Sequence, residues 1–225
     1  MLTIEDESEI INSGYPVIVP LLVEEYKGDF EIEAYSRIEK IAEEYHSKFF
    51  GKFFSSNAID WIDERLRPYV ESEGYLRECT GKYRWYYRYE ANTDTKLPSE
   101  LILPSTEMLS EGEYDFLVSF SLAEQLAKGL PSFVTKDGDR IVSIATVNEH
   151  SDGQKMLEIT VETAPAYRSR GFGLSNTVAL AGYLVNRGFG VTYACSKYNR
   201  VSCSLAKKAG FEKVGRFYAY TAYKL

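Results

Sequence analysis

The sequence predicts an α+β protein, and three observations carry that prediction. Lys155–Thr163 alternates strictly, with Leu157, Ile159 and Val161 against Glu158, Thr160 and Glu162, the pattern of a strand with one buried face. Asp137-Gly138 sits between the runs Phe133–Lys136 and Arg140–Asn148, a hairpin signal. Toward the N-terminus, apolar residues recur three or four apart, as on amphipathic helices.

Taken in chain order, Ile32, Tyr35, Ile38, Ala42, Tyr45 and Phe49 form the first helical stripe. Ser55-Ser56-Asn57 offers caps for a second helix carrying Ile59, Ile62, Leu66 and Tyr69. Tyr83–Tyr89 is dense in β-forming aromatics and reads as a strand. A polar stretch with Pro98 and Pro104 follows, which places a boundary near residue 110 and gives a mainly helical N-terminal domain, 1–110, ahead of a second domain, 111–225. In that second domain Ser121-Leu122-Ala123-Glu124 has the form of a capping box, opening a helix that stops at Gly129 before Pro131. After the hairpin and the alternating strand come Pro165, a glycine-containing loop, and a helix on Leu174, Val178, Ala181 and Val185 that ends at Gly188. Val191–Cys195 is a short strand. Asn199 caps a last helix with Val201, Leu205 and Ala209 on its stripe and Gly210 past its end, and the tyrosine-rich tail from Phe211 is β-like.

Composition narrows the function classes. A chain of 225 residues with 44% hydrophobic and 26% charged side chains is that of an ordinary globular protein. No stretch reaches the ~18 uncharged apolar residues of a membrane span, and the start, Met1-Leu2-Thr3-Ile4-Glu5-Asp6-Glu7, is acidic; a cytoplasmic protein without membrane attachment is expected. Cys79, Cys195 and Cys203 show no Cys-x-x-Cys spacing and only His46 and His150 are present, so no metal site is expected. The net charge of −7 is unevenly spread: residues 1–110 hold 12 basic and 22 acidic side chains, and residues 111–225 hold 14 and 11. From Arg168 to Lys213 eight Lys or Arg stand against Glu212 alone, a local basic zone suited to a small polyphosphate. The arginines interleaved with aromatics at Tyr83–Tyr89 could stack on bases. The acidic half around them would repel a phosphate backbone, so that segment is read as a half-buried strand and no nucleic-acid partner is expected.

The chemistry is concentrated in Tyr167-Arg168-Ser169-Arg170-Gly171-Phe172-Gly173, the loop between the alternating strand and the next helix. Two glycines allow the backbone close to a ligand, the helix N-terminus turns free amides toward it, and two arginines add full charge: together, a pyrophosphate cradle. It is neither a Walker-type loop, which needs Gly-x-x-x-x-Gly-Lys-Ser/Thr, nor a Gly-x-Gly-x-x-Gly dinucleotide fingerprint.

Arg168-x-x-Gly171-x-Gly173, with Pro165 and Tyr167 before it, resembles the Arg/Gln-x-x-Gly-x-Gly/Ala signature of the GNAT superfamily of N-acetyltransferases. Asn199-Arg200-Val201-Ser202 through Leu205-Ala206-Lys207-Lys208-Ala209-Gly210-Phe211 resembles that family's Asn-x-x-Ser/Ala to Gly-Phe helix, at the expected distance. Glu162-Thr163 and Leu205-Ala206 make the zwittermicin-resistance type of GNAT protein the nearest likeness; those proteins also carry an extra N-terminal domain.

The resemblance implies an acyl-CoA N-acyltransferase fold, a mixed, mostly antiparallel sheet with flanking helices in which the Lys155–Thr163 strand splays from Val191–Cys195. By the same resemblance, acetyl-CoA lies in the splay and no metal takes part. Backbone groups of Val161 and Thr163 hold the pantetheine, amides from Arg168, Ser169, Arg170, Gly171, Phe172, Gly173 and Leu174 hold the pyrophosphate, and Asn199 with Ser202 flanks the pantetheine. Arg200 or Lys197 would reach the adenosine 3′-phosphate. A neutral amine would attack the thioester directly. Glu162 is the first candidate for the base, Glu158 its rival, and a backbone N–H near Val161 would meet the oxyanion. Many family members carry a tyrosine acid seven residues after the asparagine; here that position is Ala206, and Ser202, Tyr198, Tyr218 and Tyr220 stand open as substitutes. Cys203 reads as a core cysteine rather than a nucleophile. The expected function is therefore acetylation of a small, cationic amine by a monomer or homodimer, against a non-catalytic acyl-CoA-binding module or, more remotely, an RNA binder.

Overall fold

The structure, a computed structural model, describes residues 1–77, 85–109, 115–116, 130–149 and 155–224. Two compact units make it up, Met1–Tyr87 with Val214–Leu225, and Arg88–Lys213. The chain therefore changes unit near residue 87 and again near 213, where a single change near 110 was expected, because the last strand returns to the N-terminal unit.

In the first unit, β1 (Leu2–Glu5) runs parallel to β3 (Asp29–Tyr35), and β3 is antiparallel to β2 (Val17–Tyr26). β2 pairs in turn with β12 (Glu212–Lys224), which also carries β4 (Tyr75–Arg77). The short α1 (Ser8–Ser13) precedes β2, while α2 (Glu39–Phe49) and α3 (Ser56–Ser72) bury their stripes against the sheet. Ala42 and Tyr45 from α2, and Ile59, Ile62 and Leu66 from α3, join Leu21, Val23, Ile32, Tyr218 and Tyr220 in one core. Ser55 caps α3 as expected, its hydroxyl accepting the Ala58 N–H at 3.3 Å.

The helix expected from Ile32 begins only at Glu39. Ile32 lies on β3, Tyr35 ends that strand, and Ser36–Ile38 form a tight turn. Phe30, Ile32 and Ala34 alternate with Glu31 and Glu33, and the preceding Lys27-Gly28 turn, with φ 51 and 97, closes a hairpin onto β2. A residue pair three apart was read as helical period where period two prevailed. The first unit is accordingly a sheet with helices on it, in place of the mainly helical domain that was expected.

The second unit has the strand order β5-β11-β10-β9-β8-β6. These strands are β5 (Trp85–Ala91), β6 (Thr106–Met108), β8 (Ser132–Asp137), β9 (Arg140–Glu149), β10 (Met156–Thr163) and β11 (Gly190–Ser196), with β7 (Asp115–Phe116) parallel to β9. The sheet is mixed: β6, β8, β9 and β10 pair antiparallel and β10 with β11 parallel. The expected hairpin is β8–β9, turning at Gly138 with φ 60. Trp85, Tyr89 and Ala91 on β5 are buried. Tyr83 and Arg84, and the helix expected from Ser121, lie outside the described residues.

The helices of this unit are α4 (Phe172–Val185) and α5 (Arg200–Lys208). α4 is buried from Ser175 through Ala181; Thr177 there donates to Gly173 O of the same helix at 2.7 Å, and Ser175 and Asn176 are satisfied from outside the helix. Ser175 Oγ accepts the Leu103 N–H at 2.7 Å and meets Thr106 Oγ1. Asn176 Oδ1 accepts from Thr106 and Thr135, each at 3.1 Å, and its Nδ2 donates to Ser143 Oγ at 3.2 Å. Ser143 in turn meets Thr163 Oγ1 at 2.8 Å. Buried hydrogen-bonding groups left without a partner cost more than the bonds contribute, so the network ties α4 to the end of β10. Replacing Asn176 with Ala strips three hydroxyls of a partner, and a loss of about 3 kcal/mol in urea unfolding is expected.

Candidate active site

β10 and β11 are hydrogen-bonded neighbours for three rungs only, Met156↔Gly190, Leu157↔Val191 and Glu158↔Thr192. β10 continues to Thr163 and β11 to Ser196, so beyond Glu158 and Thr192 the two strands part. The parting coincides with a register shift on the other side of β10, where the partner changes from Glu149 at Glu158 to Val147 at Ile159 and the extra β9 residue is Asn148. A bulge of this kind bends a strand and raises its twist.

The open edge has a definite set of backbone groups. Ala164 N–H donates to Val142 O at 2.9 Å, in register with the β9–β10 ladder. Because bonded pairs alternate in an antiparallel ladder, Glu162 and Thr160 also turn their amides to β9, and Val161 and Thr163 turn theirs toward β11, past its last paired rung. Thr163 O accepts Arg168 Nε at 3.1 Å. The side chains of Val161 and Thr163 face α4: a Cβ added to Gly173 would stand 3.0 Å from Thr163 Oγ1, 3.5 Å from Val161 Cγ2 and 3.6 Å from Leu205 Cδ1. Gly173 is thus the residue that lets α4 approach both the strand and α5.

The loop from Pro165 to Gly171 delivers the chain to the α4 N-terminus. Ser169 (φ 62) and Gly171 (φ 84) are both left-handed, a conformation recurrent in amide-lined anion concavities. Gly171 is the N-cap and no side chain caps α4, so the first-turn amides of Phe172, Gly173 and Leu174 have no partner within the helix. Arg168 and Arg170 are exposed beside them. Arg170 donates to Ala166 O at 3.3 Å and lies over the Tyr167 ring, 5.0 Å from its centroid. Tyr167 donates its hydroxyl to Asp137 Oδ2, and that carboxylate holds the phenol above its ordinary value. Free amides, a positive helix end and two guanidinium groups fit a diphosphate.

Of the two candidate bases, Glu158 stands at the last rung before the strands part, with Asn148 Nδ2 donating to its Oε1 at 3.1 Å. Glu162 stands beyond the parting, half-buried, with Ser143 Oγ donating to its backbone carbonyl at 3.2 Å. Both side chains lie on the sheet face opposite Val161 and Thr163.

On the β11 side, Asn199 caps α5, its Oδ1 accepting the Ser202 N–H at 3.1 Å. Ser202 Oγ is 2.6 Å from the hydroxyl of Tyr193, the first β11 residue past the last rung. Tyr193 is buried against Phe211, and burial pushes its phenol up to about 12. Sequence reasoning missed Tyr193, since nothing in Val191–Cys195 distinguishes one strand aromatic from another. Cys195 and Cys203 bring their sulfurs to 3.0 Å; burial, then the contact with Cys203, pushes the Cys195 thiol well above its ordinary value. Gly210, at φ 88, ends α5 where a Cβ would stand 3.2 Å from Pro98 Cδ and 3.3 Å from Lys96 O. Ala206 is fully buried, and Tyr218 and Tyr220 belong to the core of the first unit. Among the described residues no cluster of metal-ligating side chains occurs, and no helix is long and apolar enough to cross a membrane.

A family model described as GNAT acetyltransferase matches residues 96–223. Among solved structures, a GNAT-family protein from Novosphingobium aromaticivorans is 16% identical, with a TM-score of 0.47, over 63% of this chain and 65% of its own. A GCN5-related N-acetyltransferase-like protein from Streptococcus suis is 21% identical, with a TM-score of 0.46, over 73% of this chain and 67% of its own. A GCN5-related N-acetyltransferase from Sphaerobacter thermophilus is 16% identical, with a TM-score of 0.46, over 80% and 70%. The chain thus spans just under two thirds of the length of the first of these. None of the curated proteins matches it.

Proposed function

The chain belongs to the GNAT acetyltransferase family, and from that premise we propose that it transfers an acetyl group from acetyl-CoA to a primary amine of a small, cationic acceptor by direct attack on the thioester. The observation that carries this reading is the parting of β10 from β11 after three rungs, beside a helix whose first-turn amides no side chain caps. In this reading the outward-turned backbone of Val161 and Thr163 holds the pantetheine, and the amides of Phe172, Gly173 and Leu174, with Arg168 and Arg170, hold the pyrophosphate. Asn199 flanks the arm from α5. Glu162 takes the ammonium proton, and the Val161 N–H meets the charge that develops on the carbonyl oxygen.

The acceptor's charge is inferred from the composition of the first 110 residues, 22 acidic against 12 basic, a field that concentrates cations. In this reading the chain is of the zwittermicin-resistance type, with its extra N-terminal portion, and acts as a cytoplasmic monomer or homodimer.

The fully buried Ala206, where a tyrosine acid is usual, favours a second reading, an acyl-CoA-binding module without turnover. Calorimetry with acetyl-CoA, followed by thiol release in the presence of a panel of polyamines, amino sugars and amino acids, separates the two. Binding in the micromolar range with amine-dependent thiol release is expected. Binding without release would establish the module, and the absence of heat at millimolar acetyl-CoA would sink both.

A further inference from the structure

The position left empty by Ala206 needs another proton source if the departing thiolate is to be protonated in place, and this inference rests on the acyl-transfer reading above. We propose that Ser202 is the catalytic acid of this chain, giving its hydroxyl proton to the leaving sulfur, and that Tyr193 is a positioning residue that reloads it.

Four observations support the assignment. Ser202 lies one helical turn before Ala206 and three residues before Leu205, so the three share one face of α5. That face meets the cradle, since Leu205 Cδ1 stands 3.6 Å from the Cβ position of Gly173. Tyr193 begins the stretch of β11 that has left β10, so the hydroxyl pair, 2.6 Å apart, is carried by the part of β11 that diverges. Lastly, the other hydroxyls open from the sequence are placed differently. Tyr198 is 59% exposed. Tyr218 Oη accepts from Arg77 in the first unit's core, and Tyr220 is fully buried there.

The step balances without a further reactant. The amine nitrogen forms its bond to the acyl carbon, the carbon–sulfur bond breaks, and its electron pair takes the Ser202 proton. Tyr193 passes its proton to Ser202 Oγ and recovers one from solvent, while the proton lost by the amine leaves through the carboxylate. Burial keeps the Tyr193 phenol protonated through the neutral range, as a donor requires.

The experiment begins with the wild-type chain, acetyl-CoA and the best amine of the panel above. Without turnover there, the acyl-transfer reading fails and this proposal falls with it. With turnover, Ser202→Ala is expected to lower kcat roughly 10- to 100-fold, the low end for general-acid loss because a thiolate is a stable leaving group. The calorimetric Kd for acetyl-CoA should rise by well under the factor lost in kcat, a split that separates catalysis from the contact Ser202 makes beside the pantetheine. Ser202→Thr, which keeps the hydroxyl, should recover most of kcat, and Tyr193→Phe should lower kcat alone. The double variant should be no slower than Ser202→Ala, because the two hydroxyls act as one unit. A kcat within threefold of wild type for Ser202→Ala, a Kd that rises in step with the lost activity, or the same kcat loss in Tyr198→Phe would each overturn the assignment.

Discussion

Replacing Gly171 with glutamate is expected to weaken acetyl-CoA binding at least 100-fold, the largest effect of any single change at the cradle. Two physical terms add. Gly171 sits at φ 84, and a side chain in the left-handed region costs roughly 1–2 kcal/mol, a strain that the variant's unbound loop sheds by turning away and must take up again to bind. The new carboxylate would also stand at a helix N-terminus whose amides, in this reading, face a diphosphate. Like-charge repulsion at that point is worth about another 1–2 kcal/mol where solvent still reaches, for a sum of about 3 kcal/mol, or two orders of magnitude. Gly171→Ala separates the terms, since it keeps the strain and omits the charge: a loss of about tenfold is expected. Calorimetry with acetyl-CoA reads both variants. Equal affinity of Gly171→Glu and wild type would mean that this helix end does not hold the phosphates.

Glu162→Gln is expected to lower kcat by about 10² to 10⁴ and leave the Kd for acetyl-CoA unmoved, the pattern of a lost general base. Glu158→Gln should cost less than about tenfold. The two carboxylates share a sheet face, but Glu158 belongs to the last rung paired with β11, while Glu162 lies beyond the point where β10 has left β11. In the acyl-transfer reading, an acceptor held where the strands part lies on the Glu162 side of the last rung. Steady-state kinetics on both variants decides between them, and a larger loss at Glu158 would reverse the assignment.

The legible parts of the fold were those set by local chemistry. The alternation of Lys155–Thr163, the Asp137-Gly138 hairpin, the Asn199 cap and the Ser55 cap each recur in the structure, because period, turn geometry and capping act within a few residues. The Gly171 turn into a helix N-terminus was legible for the same reason. The β1–β3 sheet was not: Ile32, Tyr35 and Ile38 obey helical spacing by coincidence, and the residues that decide against a helix lie across a hairpin in β2. Nor could spacing reveal the Asn176 network. Ser175-Asn176-Thr177 looks like a polar break in an apolar helix, and only Thr106, Thr135 and Ser143, distant in the chain, turn it into a satisfied interior. The Tyr193–Ser202 pair escaped likewise, since a contact between a strand and the next helix depends on where the strand diverges.

One consequence of the strand pairing concerns the order in which the chain is made. β2 pairs with β3 on one side and with β12 on the other, so the first unit is completed by residues 214–225. Residues 1–87 are made before the second unit and must therefore wait, with one edge of β2 unpaired, until residues 214–225 follow that unit. An unsatisfied strand edge is a template for association with other chains. Loss of the codons for residues 214–225 would thus injure a unit whose other residues are translated before the second unit begins.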